Sequence, residues 1–144
     1  MTGGNEIRLV VGLGNPEESQ QNDRHNVGFW LLDGWAGKNQ APLSPSARHS
    51  GISGKCPNGV NFLKPTTYMN LSGQSVASYA NYYGLEAKKI LVAHDDLDLS
   101  AGCVRLKYGG GHGGHNGLRS ITQSLGSDAY YRVRIGIGRP EPGR

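Results

Sequence analysis

A neutral imidazole held in place by a carboxylate can turn water into a nucleophile. Two stretches of this chain carry the groups: Arg24-His25-Asn26, and His94-Asp95-Asp96-Leu97-Asp98. His25 follows a polar spacer and opens an apolar helical pattern. At a helix start the positive end of the dipole favours the uncharged ring, the form a general base needs. Asp95 follows an apolar run, so it falls at the carboxyl end of a strand. There it can accept a hydrogen bond from one ring nitrogen, fix the tautomer and stabilise the imidazolium formed in turnover. Asp96 and Asp98 read as turn or solvent groups. Asn15, Asn70 and Asn116 also sit at strand or loop ends. Each alone is more often a turn residue, but an asparagine amide can also recognise a carbonyl or stabilise an oxyanion.

Other chemistries lack their residues. No serine stands in Gly-x-Ser-x-Gly, and Cys56 and Cys103 have neither metal-ligand spacing nor an activating neighbour, so they read as reduced structural thiols. The glycine-rich run 109–117 matches neither phosphate-loop pattern. His112 and His115 have no third ligand at a zinc-site spacing. The expectation is an activated water, with no metal and no cofactor.

These groups need a scaffold of strands that deliver them to one edge. Apolar runs at 7–13, 60–64 and 89–93 predict strands, and alternation at 104–108 and 131–137 predicts two more. A weak strand is expected near 50–54. Helical periodicity covers 26–35, a helix runs through Val76, Ala77, Ala80 and Tyr83 to a stop at Gly84, and another spans about 117–125. Strands alternating with helices predict a single α/β domain over residues 1–144 with a mainly parallel sheet, and in such sheets ligands bind at the strands' carboxyl ends. Glycine is abundant, 23 of 144 residues against a usual ~7%, clustered and aperiodic as special loops require. No apolar segment approaches the ~20 residues of a membrane span and no signal peptide opens the chain, so a cytoplasmic protein with no membrane partner is expected. The net charge of +4 and the late cluster Arg105, Lys107, Arg119, Arg132, Arg134 and Arg139 suggest a phosphate-contacting face against the plainer reading of a solvated one.

In order along the chain stand Val-Gly-Leu-Gly-Asn15-Pro, Arg24-His25-Asn26-Val-Gly-Phe, Pro65-Thr-Thr-Tyr-Met-Asn70-Leu-Ser-Gly, His94-Asp95-Asp-Leu-Asp-Leu, Gly-Gly-Gly-His-Gly-Gly-His-Asn116-Gly-Leu and Arg134-Ile-Gly-Ile-Gly-Arg-Pro. Together they closely resemble the bacterial peptidyl-tRNA hydrolases, over nearly the whole chain. The resemblance implies a monomeric α/β enzyme with a mixed, mostly parallel twisted sheet flanked by helices. Such an enzyme cleaves the ester between a peptide and the terminal ribose of tRNA. By position, His25 is then the general base, Asp95 its support, and Asn15 the sensor of the first peptide amide. Tyr68, Asn70 and Asn116 line the substrate cleft, with Gln20 and His115 also on the substrate side. Lys107 and Arg134 resemble the family's pair for the tRNA 5′-phosphate. Three departures accompany the match. Glu17 and Gln20 replace the family's Gly and Tyr, removing an aromatic that could stack on the substrate's 3′ end. Asp23 replaces Thr, and family members continue past position 144 with a C-terminal helical segment. Two other readings compete: a non-catalytic RNA-binding relative, and a small-nucleotide-binding domain using the glycine loop.

Overall fold

The computed structural model describes residues 6–15 and 26–139. A seven-stranded sheet runs through it in the order β2-β3-β4-β1-β5-β7-β6. Its central strands are parallel: β1 (Leu9–Gly12) lies between β4 (Asn61–Pro65) and β5 (Ile90–Asp96), and β7 (Tyr131–Gly136) pairs with β5. The edges are antiparallel, with β2 (Ser44–Ser46) and β3 (Gly51–Lys55) at one end and β6 (Val104–Tyr108) at the other. This is the mixed, mostly parallel α/β sheet expected.

Continuous apolar runs suit strands covered on both faces, and two cores do the covering. On one face Val10, Phe62 and Leu32 pack under α1 (Val27–Lys38). On the other, Leu9, Val11, Val92, Val76 and Ile121 pack under α2 (Ser72–Tyr83) and α3 (Asn116–Leu125). Glycine lets α1 settle onto the sheet. A methyl on Gly28 would lie 2.4 Å from the Leu13 carbonyl oxygen and 2.6 Å from that of Ala93, so only glycine fits. Gly117 does the same for α3, where a methyl would meet Leu13 and Met69 side-chain atoms at 2.8 Å.

Two expectations are corrected. β5 does not end at Ala93: pairing with β7 carries it on through His94↔Arg134, Asp95↔Ile135 and Asp96↔Gly136, so the polar groups sit on ladder-held backbone. The Pro-, Ser- and Gly-rich stretch 38–58, which reads from sequence as loops with one weak strand near 50–54, also contains β2, whose Pro45 is tolerated because the strand lies at the sheet edge.

Candidate active site

The carboxyl ends of β1 and β5, the glycine loop and the start of α3 enclose an open cleft of about 700 Å³, a size typical of small-molecule and cofactor sites. Its lining includes Asn15, Asp95, Lys107, His115, Asn116 and Arg134. The fold therefore brings together six of the residues singled out from sequence.

Asp95 is anchored from α3. It is 7% exposed, and its Oδ1 accepts a hydrogen bond from His115 Nε2 at 2.8 Å. His115 is the N-cap of α3, and its Nδ1 accepts from the backbone N–H groups of Gly117 (3.0 Å) and Leu118 (3.3 Å). A ring nitrogen that accepts carries no proton, so the hydrogen is on Nε2 and the ring is neutral. Both nitrogens are thus used within the protein: one caps a helix, the other aims a carboxylate.

His94 lies beside this pair, its ring T-shaped to His115 at 5.1 Å between centroids. Its Nδ1–H donates to the Asp95 carbonyl oxygen at 2.8 Å, which leaves Nε2 as an acceptor, buried and without a hydrogen-bond partner among the described residues. Burial, reinforced by neighbouring His115, pushes its pKa down to about 4 against the pull of the Asp95 and Asp96 carboxylates. On the same face Asp96 accepts from Arg134 Nε at 2.8 Å and from the Asp98 backbone N–H at 2.8 Å. Burial raises the Asp96 carboxyl, but these hydrogen bonds and the guanidinium charge outweigh it and leave the pKa below its ordinary value.

The loop between β1 and α1 is tied at its base. The Asn15 backbone N–H donates to Asn26 Oδ1 at 2.7 Å, so the Asn26 side chain serves this link and does not cap α1. His25 and Gln20, between these anchors, lie outside the described residues. Asn70 lines a second, smaller groove of about 220 Å³ with Arg119 and Gln123, which Asn116 joins to the main cleft. Tyr68 is 58% exposed and lines neither. Met69 does line the cleft, a residue that sequence reasoning passed over because its apolar side chain carries no chemical signal.

The basic face is also corrected. Register places Arg105 opposite Arg134 and Lys107 opposite Arg132, two rungs of like charge across β6 and β7. Arg132, expected to face phosphate, is 1% exposed and donates to the carbonyl oxygens of Gly111 (2.6 Å), Gly110 (2.8 Å) and Asp128 (3.1 Å). Arg139 pairs with Asp98. Arg105 and Lys107 form no ion pair among the described residues. Those residues also hold no cluster of three or more His, Cys, Asp or Glu able to bind a metal ion, and no helix long and apolar enough to cross a membrane.

A carboxylate aimed by a neutral imidazole at the carboxyl ends of parallel strands, in an open cleft with a basic wall, is an arrangement that a hydrolase built on an α/β sheet can use. The comparisons make the class specific. The family model for peptidyl-tRNA hydrolase matches residues 9–144. The chain is 51% identical over 140 residues to the peptidyl-tRNA hydrolase of Coxiella burnetii strain RSA 331, covering 97% of this chain and 73% of that protein. It is 47% identical over 139 residues to that of Pasteurella multocida, covering 94% and 72%. The crystal structure of the Acinetobacter baumannii peptidyl-tRNA hydrolase superposes with a TM-score of 0.90 at 46% identity, over 96% of this chain and 72% of that one. The chain belongs to the peptidyl-tRNA hydrolase family.

Proposed function

We propose that this chain hydrolyses the ester joining a peptide to the 3′-terminal ribose of tRNA, freeing both. The observation that carries the reading is Asp95, fixed by the β5–β7 ladder and aimed by His115 Nε2–H at 2.8 Å on the cleft wall, in a member of this family. His25, the residue before Asn26, acts as general base: its ring removes a proton from water as the oxygen attacks the ester carbonyl. Asp95 orients the ring and stabilises the imidazolium. Negative charge develops on the carbonyl oxygen, and uncharged amide donors such as Asn116 stabilise it without trapping the product as a cation would. The intermediate collapses with cleavage of the bond between the carbonyl carbon and the ribose oxygen, and His25 passes its proton to that departing oxygen, which leaves as the free hydroxyl.

Asn15 reads the first peptide amide, which separates peptidyl-tRNA from aminoacyl-tRNA. Asn116 in the cleft and Asn70 in the adjoining groove hold the peptide backbone and the terminal ribose, with Gln20 and His115 on the same side and the exposed Tyr68 at the periphery. Lys107 and Arg134 meet the 5′-phosphate. The scheme needs no metal or cofactor, and we read the enzyme as a cytoplasmic monomer. The test is release of peptide from an N-blocked aminoacyl-tRNA, with free aminoacyl-tRNA as control. Cleavage of the blocked ester alone is expected, and His25→Ala should lower the rate by about 10²–10⁴-fold while tRNA still binds. Unchanged turnover in that variant would overturn the assignment of the base. Binding of tRNA without cleavage by the parent chain would favour the non-catalytic RNA-binding reading.

A further inference from the structure

A guanidinium that is 1% exposed without a carboxylate partner is unusual, because burying an unpaired charge is costly. Arg132 forms no ion pair among the described residues. Its charge is met by three backbone carbonyls and by the face of Tyr130, 4.4 Å below the guanidinium carbon. Two of the carbonyls belong to Gly110 and Gly111, in the loop that joins β6 to α3. The third, from Asp128, belongs to the segment that returns from α3 to β7. Tyr130 ties in the helix as well, its hydroxyl donating to the Leu118 carbonyl oxygen at 3.2 Å. One side chain therefore pins the glycine loop to the sheet from inside the cleft wall.

Lys107 lies against Gly110 as well. A methyl on Gly110, whose φ is +98°, would come within 2.9 Å of both Lys107 Cε and Nζ. Gly110 is thus the residue both cations meet: Arg132 holds its carbonyl oxygen and Lys107 lies over its Cα. Like charges opposite each other on paired strands are destabilising. Here the pairing is relieved by turning Arg132 into the carbonyls and sending Lys107 across Gly110.

We propose that Arg132 is a positioning residue for the cleft's anion contact: by clamping the Gly110 and Gly111 carbonyls it fixes where the Lys107 ammonium meets substrate phosphate. This rests on the reading of the chain as acting on tRNA. The geometry, rather than the bare charge, does the work, since a lysine at 132 keeps the charge but lacks the fork that reaches several carbonyls at once.

The test is a double-mutant cycle of Arg132→Lys and Lys107→Ala, read as tRNA affinity against salt, with KM and kcat for the blocked ester alongside. Arg132→Lys is expected to weaken binding about tenfold and to flatten the salt slope by about one phosphate contact, as Lys107→Ala does. The double variant should be little worse than either single one. The loss should fall on KM. Gly110→Ala provides a second route: at a φ of +98° a Cβ strains the peptide whose carbonyl Arg132 holds and crowds Lys107, so it loosens the same clamp and should reproduce the flattened slope. Additive losses in the cycle, or an unchanged salt slope in folded Arg132→Lys, would overturn the proposal. If Arg132→Lys does not fold, a normal salt slope in Gly110→Ala would overturn it instead. A parent chain that neither binds nor cleaves blocked aminoacyl-tRNA would overturn the functional reading itself, a result distinct from additivity in a parent that binds.

Discussion

Two buried histidines stand in different halves of the sheet, His49 at 4% exposure near the β3 edge and His94 at 3% in the cleft. Burial lowers both pKa values, helped by Arg48 at the first and by His115 at the second. Their surroundings differ. His49 Nδ1 hydrogen-bonds Ser78 Oγ at 2.9 Å, and its ring packs on Tyr79, Tyr82 and Tyr83. Arg48 lies over Tyr82 at 4.5 Å, so cations there sit on aromatic faces. His94 instead has an Nε2 unpartnered among the described residues, a neighbouring imidazole, and the carboxylates of the next two residues of its strand, Asp95 and Asp96. A buried histidine is not by itself a site. Ser75 Oγ, against Gly51 in the His49 half, is unpartnered too among the described residues, so what marks the cleft half is the unpartnered imidazole nitrogen set beside oriented carboxylates, whereas His49 spends its ring on aromatic packing.

The contrast breaks hardest at Asp95. Asp95→Asn keeps the shape and an acceptor for His115 but removes the charge that would stabilise an imidazolium. Turnover should fall by about 10²–10⁴-fold while thermal unfolding shifts by only a few degrees, measured by steady-state kinetics and calorimetry. A comparable loss on altering Ser78, which supports His49, would erase the distinction between the halves.

The next effect is on stability in acid. The His94 pKa is about 4 in the folded chain against 6.5 unfolded. As pH falls, the unfolded chain takes up this proton first. The stabilisation is therefore complete above pH 6.5 and is lost progressively between 6.5 and 4, a change on the order of 3 kcal/mol. His94→Asn, which keeps a donor for the Asp95 carbonyl but does not titrate, should flatten denaturant-derived stability across that window. An equally steep profile in the variant would place the acid sensitivity elsewhere.

How much of this was legible beforehand follows from what each feature depends on. Leu9–Gly12 and the start of β5 were readable because burial on both faces demands unbroken apolar runs. The extension of β5 through His94-Asp95-Asp96 was not, since the hydrogen bonds of β7 decide it and hydrophobicity says nothing. β2 is a Ser-Pro-Ser segment without strand propensity, held only by pairing with β3. Asp95 was recognisable from its place at a strand end. Its partnership with His115, 20 residues away, depends on where α3 begins. Alternation put Arg132 and Arg134 on one face, but it could not distinguish an arginine consumed by loop carbonyls from one paired to Asp96. That difference lies in backbone oxygens, which no residue code records.

On the packing side, His49→Ala should cost roughly 2 kcal/mol, within the range for removing a large buried side chain whose neighbours partly collapse. Chemical denaturation would measure it, and kcat for the blocked ester should stay within twofold of the parent. A large kinetic effect would mean that the tyrosine cluster communicates with the cleft, and the two halves would no longer be separable.

The smallest effect is also the most diagnostic of the basic wall. Arg105, Lys107, Arg132 and Arg134 share one face of β6 and β7, and Asp96 is the carboxylate that hydrogen-bonds Arg134, at 2.8 Å. Asp96 is held ionised by that contact, so at neutral pH it cancels one positive charge beside the cleft. Asp96→Asn keeps the size and an acceptor oxygen while removing the negative charge. If the wall attracts a polyanion, tRNA binding should tighten by about two- to threefold at low salt, with a steeper dependence on ionic strength that closes the gap near physiological salt. Weaker binding would instead mean that Asp96 works chiefly by pointing Arg134. The ionic-strength series separates the two, because loss of orientation persists at high salt and added attraction does not.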